Sequence, residues 1–145
     1  MALVLPHLHT KREVDGAVRS FTDKVLVLRF GRSSDPGCMQ LDELLWKTSQ
    51  QLSKMALMYL VDVDEVPVYT RYFDISYVPS TVFFFNGQHM KGHDFFGFVG
   101  CFKSKQDLID LVEVIFRGAM RGKLIVRSPI DPRNLPRYDL LYCDL

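Results

Sequence analysis

The chain has 145 residues, of which 48% are apolar, and carries a formal net charge of +1 at neutral pH. That length suits one compact domain that buries its core without staples, and no apolar run approaches the roughly 18 residues of a membrane span. A charge this close to zero argues against nonspecific nucleic-acid binding as the main task.

Thr10-Lys11-Arg12-Glu13 has the form of a capping box, so a first helix is predicted from about Lys11 to Ser20 with Val14, Ala17 and Val18 inward. Val25 to Phe30 is almost continuously apolar and branched, as in an inner strand covered on both faces. Asp35 as N-cap and Pro36 at the first helical position open a second helix, with Leu41, Leu44, Leu45, Thr48 and Leu52 as its inner stripe. Ala56 to Val61 is a second buried strand that leaves Asp62 at its carboxyl end.

A short helix is predicted from Glu65 to Phe73, begun near Pro67. Thr81 to Phe85 then forms a strand that turns at Asn86-Gly87, a strong hairpin signal. The return strand is placed within Gln88 to Lys91 or within Phe95 to Phe102, because Gly92, Gly97 and Gly100 blur its limits. Ser104-Lys105-Gln106-Asp107 opens a last helix with the stripe Leu108, Leu111, Val112, Ile115, Phe116 and Ala119, and Gly122 suits its end. Helix alternating with buried strand, closed by a hairpin and a helix, predicts an α/β fold: a central mixed sheet with helices on both faces. Residues 1–122 are expected to form this domain. Residues 123–145, with Pro129, Pro132 and Pro136, form a C-terminal extension that docks on the domain or on a partner.

Ser34-Asp35-Pro36-Gly37-Cys38-Met39 follows the first buried strand, and Val78-Pro79-Ser80-Thr81 leads into a later one. With Leu5-Pro6-His7-Leu8 at the start, these residues give the chain a specific resemblance. The order of elements is similar to a thioredoxin-like fold. More narrowly, the sequence resembles the Dim-one, or thioredoxin-like four, family, which includes the fifteen-kilodalton thioredoxin-like subunit of the spliceosomal U-five small ribonucleoprotein. Val25 to Gly31, Tyr59 to Asp62, Ser80 to Gln88 and Phe116 to Val126 resemble its B-type branch most closely. The resemblance implies a nuclear protein of pre-mRNA splicing and cell-cycle progression that acts by contacts with spliceosomal proteins, among them a tetratricopeptide-like repeat scaffold. It implies no enzymatic activity and no cofactor. One departure is Gly92-His93-Asp94-Phe95-Phe96-Gly97, a shorter and more aromatic loop than that branch leads one to expect.

The vestigial redox site comprises Asp35, Cys38 and Pro79. The motif reads Asp-x-x-Cys where thioredoxins have Cys-x-x-Cys, so disulfide exchange by two neighbouring thiols lacks one of its sulfurs. A helix start favours a thiolate at Cys38, whereas the negative charge of Asp35 opposes a second anion; a structural Cys38 is expected. Arg29 stands where thioredoxins carry a buried acid, and as a paired or snorkelling arginine it needs no redox role. The resemblance implies a cis bond before Pro79. Ser80 follows it where the other branch has a cysteine, so an internal disulfide there is not available.

His7 with His9, and His89 with His93, lack a matching ligand set at zinc spacing, and no metal is expected. Asp62, Asp64 and Glu65 are read as a strand-end turn and helix N-terminal acids. Phe95, Phe96 and Phe98 are either hairpin residues packed on the sheet or an exposed patch. Between Arg117 and Arg137 six basic residues face the single acid Asp131, either as a solvated face or as a docking surface. The candidate partner surface is Arg121, Lys123 and Arg127 together with Tyr138, Leu141 and Tyr142. A tail of this composition is expected to dock on its own domain or on a second copy as a homodimer.

Three unevenly spaced cysteines, Cys38, Cys101 and Cys143, and an N-terminal stretch without a basic flank fit a reducing compartment without a disulfide framework. Two alternatives to an interaction protein remain open at this point. One is a single-cysteine thiol-disulfide or glutathione-dependent oxidoreductase that uses Cys38. The other is direct RNA binding by the basic segment, which lacks interleaved aromatics; neither direct nucleic-acid contact nor membrane association is expected.

Overall fold

A computed structural model describes residues 5–92, 97–131 and 133 of the chain. The short strand β1 (His7–Leu8) leads into helix α1 (Lys11–Ser20). Thr10 caps α1 by accepting from the Glu13 amide at 3.1 Å. The return half of the expected capping box is displaced by one residue: the Glu13 carboxylate accepts from the His9 amide at 2.7 Å. The acid therefore ties down the exit from β1.

Strand β2 (Val25–Gly31) is buried along its whole length. It lies between β3 (Ala56–Asp62), to which it runs parallel from Val25 opposite Ala56 to Gly31 opposite Asp62, and β4 (Ser80–Phe85), which is antiparallel. Covered on both faces, it needs no polar alternation. Val25 and Val27 join Leu41 and Leu45 of α2 (Pro36–Ser49) and Leu108, Leu111 and Ile115 of α4 (Lys105–Met120) in one core. Leu26, Leu28 and Phe30 join Val14 and Ala17 of α1 in the other, where Tyr69 of α3 (Pro67–Tyr72) also packs. Each fully buried aliphatic chain contributes about 1.5–3 kcal/mol. The third helix is shorter than the residues from 65 to 73 predict, because Pro67 begins it.

Both placements of the return strand are occupied. β5 (Gln88–Gly92) pairs with the end of β4 and β6 (Phe98–Val99) with its beginning, both antiparallel. The turn between β4 and β5 places Asn86 at φ 52° and Gly87 at φ 77°, a left-handed pair that matches the twist of a hairpin. At Gly97 a Cβ would lie 2.6 Å from the Thr81 carbonyl oxygen, so the re-entry into β6 requires glycine. Phe98 is buried against Phe102, whereas Phe95 and Phe96 lie outside the described residues.

Helix α4 starts at Ser104, whose hydroxyl accepts from the Asp107 amide at 3.2 Å. It ends in a Schellman arrangement in which Gly122, at φ 79°, donates to Ala119 and Lys123 donates to Gly118. The extension then opens with a strand: β7 (Ile125–Val126) runs parallel to β5. Val126 and Ile130 are buried in the α2–α4 core. The sheet order is β1-β3-β2-β4-β5-β7, with β6 on the β4 edge beside β5. Among the described residues no helix is long and apolar enough to cross a membrane.

Candidate functional site

The carboxyl end of β2, the loop from Arg32 to Asp35 and the first turn of α2 converge on Cys38. Asp35 is the N-cap, and its Oδ2 accepts from the Cys38 amide at 2.9 Å. One of the free amides that a helix start would offer to an anion is thereby occupied by the protein's own carboxylate. Pro36 fills the first helical position, where no amide is needed. The bond between Val78 and Pro79 is cis. A Cβ added to Gly37 would lie 3.5 Å from the Pro79 ring and 3.1 Å from Asp35 Oδ2, so the three residues of the loop and turn are close neighbours. The Pro79 carbonyl accepts from the Gly100 amide at 2.8 Å, and Ser80 donates to the Tyr77 carbonyl at 2.6 Å.

Cys38 is fully buried, and its sulfur accepts a weak bond from the Arg32 amide at 3.4 Å. Burial pushes its thiol above the ordinary value and the Asp35 carboxylate adds to that rise, against the pull of the Arg32 amide and the Arg29 guanidinium. The neutral thiol is a poor nucleophile. Burial likewise raises the half-buried Cys101 thiol, which donates to the Phe102 carbonyl.

Arg29 is a paired arginine and not a snorkelling one. It is 1% exposed, bonds Asp42 of α2 through two contacts of 2.8 Å each, and reaches the Val61 carbonyl at 3.3 Å. This pair was not legible before the fold, because the partner lies 13 positions further on a different element. Gly31 completes the arrangement. A Cβ there would come within 2.5 Å of Cys38 Sγ and 3.0 Å of Arg29 Nη1. A glycine closing a buried strand is the sequence trace of that close approach. Beside the pair of Arg29 and Asp42 an open groove of about 510 Å³ is lined by Leu5, His7 and Leu60 on one side and by Met39, Asp42 and Glu43 of α2 on the other.

The acids after β3 act separately. Asp62 accepts from the amides of Asp64 and Glu65, Asp64 pairs with Arg32, and Glu65 accepts from His9. The rings of His7 and His9 stack, and His89 packs on Phe73 and Phe84. His93 lies outside the described residues. Of the basic run, Arg117 pairs with Glu113 and Arg133 with Asp131. Arg121, Lys123 and Arg127 are exposed, and no ion pair joins them among the described residues. Tyr138, Leu141 and Tyr142 lie outside those residues.

The order of elements and the sheet topology define a thioredoxin-fold protein, in which Asp35 caps the helix start at a buried Cys38. A thioredoxin from Plasmodium falciparum superposes with a TM-score of 0.63 at 19% identity, covering 75% of this chain and 97% of that one. The family model described as Mitosis protein DIM1 matches residues 4–132, and the chain belongs to that family. It is 68% identical to Thioredoxin-like protein 4B of Mus musculus over the full length of both chains. It is 35% identical to Spliceosomal protein DIB1 of Saccharomyces cerevisiae, covering 90% of this chain and 94% of the relative.

Proposed function

We propose that this chain is a noncatalytic nuclear protein that acts in pre-mRNA splicing and cell-cycle progression by binding spliceosomal proteins, a tetratricopeptide-like repeat scaffold among them. Kinship with proteins named for mitosis and for the spliceosome supports the process. The observation that carries the noncatalytic part is the Asp35 carboxylate on the Cys38 amide, above a buried neutral thiol. The partner surface is assigned to Arg121, Lys123 and Arg127 with the tail residues Tyr138, Leu141 and Tyr142. The domain is assigned to 1–122 and the docking extension to 123–145, with β7, Val126 and Ile130 as the part of the extension that docks on the domain itself; a second copy of the chain is a further occupant of the same surface.

Affinity capture of the tagged chain from nuclear extract, with and without the residues from Asn134 onward, tests this. Splicing proteins are expected with the full chain and depleted with the shortened one. Full-chain capture without any splicing protein overturns the assignment. Turnover of a glutathione mixed disulfide that is abolished by Cys38→Ser overturns its noncatalytic part.

A further inference from the structure

We propose, building on the surface assigned above, that β7 is a docking edge to which an extended segment of a partner protein, with alternating acidic and apolar residues, adds as a further strand. β7 ends the sheet, and no described residue pairs with its outer side. The register fixes which backbone groups point there. Lys91 donates to the Leu124 carbonyl, with Lys91 opposite Ile125 and Gly92 opposite Val126. In a parallel ladder the groups of Leu124 and Val126 are then turned inward, and the Ile125 amide and carbonyl outward. An incoming strand finds one donor and one acceptor ready.

The side chains around that edge combine two properties. Met120, Leu124 and Ile125 are 63%, 42% and 52% exposed, three of the large apolar side chains that the fold leaves in water. Arg121, Lys123 and Arg127 flank them in sequence and have no acidic partner among the described residues. Short edge strands rich in lysine also guard sheets against aggregation. A guarded edge, however, has no use for three exposed apolar chains, whereas an acidic and apolar strand is complementary to both properties. Nucleic acid fits less well, because Met120 to Arg127 offers no aromatic ring for a base to stack on. The opposite sheet edge differs: Leu8 of β1 is buried and His9 beside it engages Glu65.

The platform is held in place from behind. A Cβ at Gly118 would lie 2.5 Å from Val126 Cγ1, so α4 and β7 meet without an intervening side chain. Partner binding therefore meets a preformed edge and does not have to order one.

The test uses the full chain, isotope-labelled, titrated with a synthetic peptide in which glutamate alternates with valine and, separately, with an oligouridylate. Amide shifts with the peptide are expected at 123–127, and exchange of the Ile125 amide is expected to slow by about tenfold or more as it enters a ladder. Charge reversal of Arg121, Lys123 and Arg127 to Glu is expected to weaken the peptide by about tenfold or more. Ile125→Pro removes the outward donor together with the isoleucine side chain, at an edge position where proline is tolerated, and Ile125→Ala removes the side chain alone. Proline is expected to abolish peptide binding and alanine only to weaken it, with the remaining spectrum unchanged in both. Peptide binding that is unaffected by Ile125→Pro, or shifts confined to another face, overturns strand addition. Oligouridylate that shifts these residues while the peptide does not overturns it in favour of nucleic acid. The same variants in the nuclear capture separate the two proposals: splicing proteins lost with charge reversal but kept with Ile125→Pro overturn strand addition alone, and their absence from the unaltered chain overturns the proposed function alone.

Discussion

Arg29 on β2 and Asp42 on α2 face each other inside the protein with two hydrogen bonds of 2.8 Å each, the guanidinium 1% exposed. The guanidinium and the Cys38 sulfur both lie against Gly31, where an added Cβ would come within 3.0 Å of Arg29 Nη1 and 2.5 Å of Cys38 Sγ. A positive charge here needs Asp42, and the pair pins α2 to the sheet.

Removing the carboxylate leaves a buried guanidinium with the Val61 carbonyl as its one remaining acceptor among the described residues. Asp42→Ala is expected to cost about 3 kcal/mol, at the lower end for a broken buried pair because Asp42 is itself partly solvated. Arg29→Met combined with Asp42→Leu is expected to recover most of it, since two apolar chains leave no charge stranded. Urea denaturation of the two variants decides, and equal losses would show that the pair does not act as a unit.

Gly31 is limited by what lies against it. An added methyl group would meet Cys38 Sγ at 2.5 Å, so Gly31→Ala is expected to destabilise by about 1–3 kcal/mol. Cys38→Ala removes the obstructing sulfur, and the double variant is expected to be less damaged than the sum of the two singles. Additive losses in a double-mutant cycle would place the strain on Arg29 instead.

Asp35→Cys supplies the missing sulfur. The cap bond to the Cys38 amide is lost, at about 1 kcal/mol, and the two thiols occupy the positions of a dithiol. Under mild oxidant the variant is expected to lose two free thiols per chain, counted by alkylation and mass, whereas the unaltered Cys38 stays slow to alkylate at neutral pH because burial holds it neutral. Rapid alkylation of the unaltered Cys38 would contradict that burial.

Much of the architecture was legible because apolar runs and caps are local signals. Val25 to Phe30, the Asp35 cap and the Asn86-Gly87 turn each announce themselves within a few residues. What lay beyond reach depends on distance along the chain: Arg29 with Asp42, Tyr69 with Asp15, and Gly31 against Cys38 are contacts between elements. The Glu13 carboxylate went to His9 because two amides lie within its reach and sequence does not rank them. At the candidate site the residues Asp35, Cys38 and Pro79 could be named in advance, but the near contact of Gly37 with Pro79 needed the fold.

Tyr69 of α3 donates a hydrogen bond to Asp15 of α1. Lys11 first and Tyr69 second hold the Asp15 carboxyl below its ordinary value, while burial chiefly, with Asp15, pushes the Tyr69 hydroxyl up. For Asp15 the folded value lies below the unfolded one, so its stabilisation is complete above about pH 4 and is lost as the pH falls through the lowered value. For Tyr69 the folded state favours the neutral hydroxyl, so stability is lost as the pH rises above about 10. Tyr69→Phe is expected to cost about 1.5 kcal/mol at neutral pH, a hydrogen bond to a charged group, and to flatten the stability curve at both extremes. A curve parallel to that of the unaltered protein would remove the pair from the pH response.

The extension from residue 123 is best divided by two truncations. Ending the chain after Gly122 deletes β7 together with Val126 and Ile130, both buried in the core with α4. Two aliphatic side chains of that kind contribute about 1.5–3 kcal/mol each, and on a domain of this size each kcal/mol moves the midpoint by about 2–4 °C. Ending it after Arg133 keeps both. The first truncation is therefore expected to melt at least about 6 °C below the second. Equal midpoints would mean that Val126 and Ile130 add nothing to the fold, and that the stable unit ends with α4.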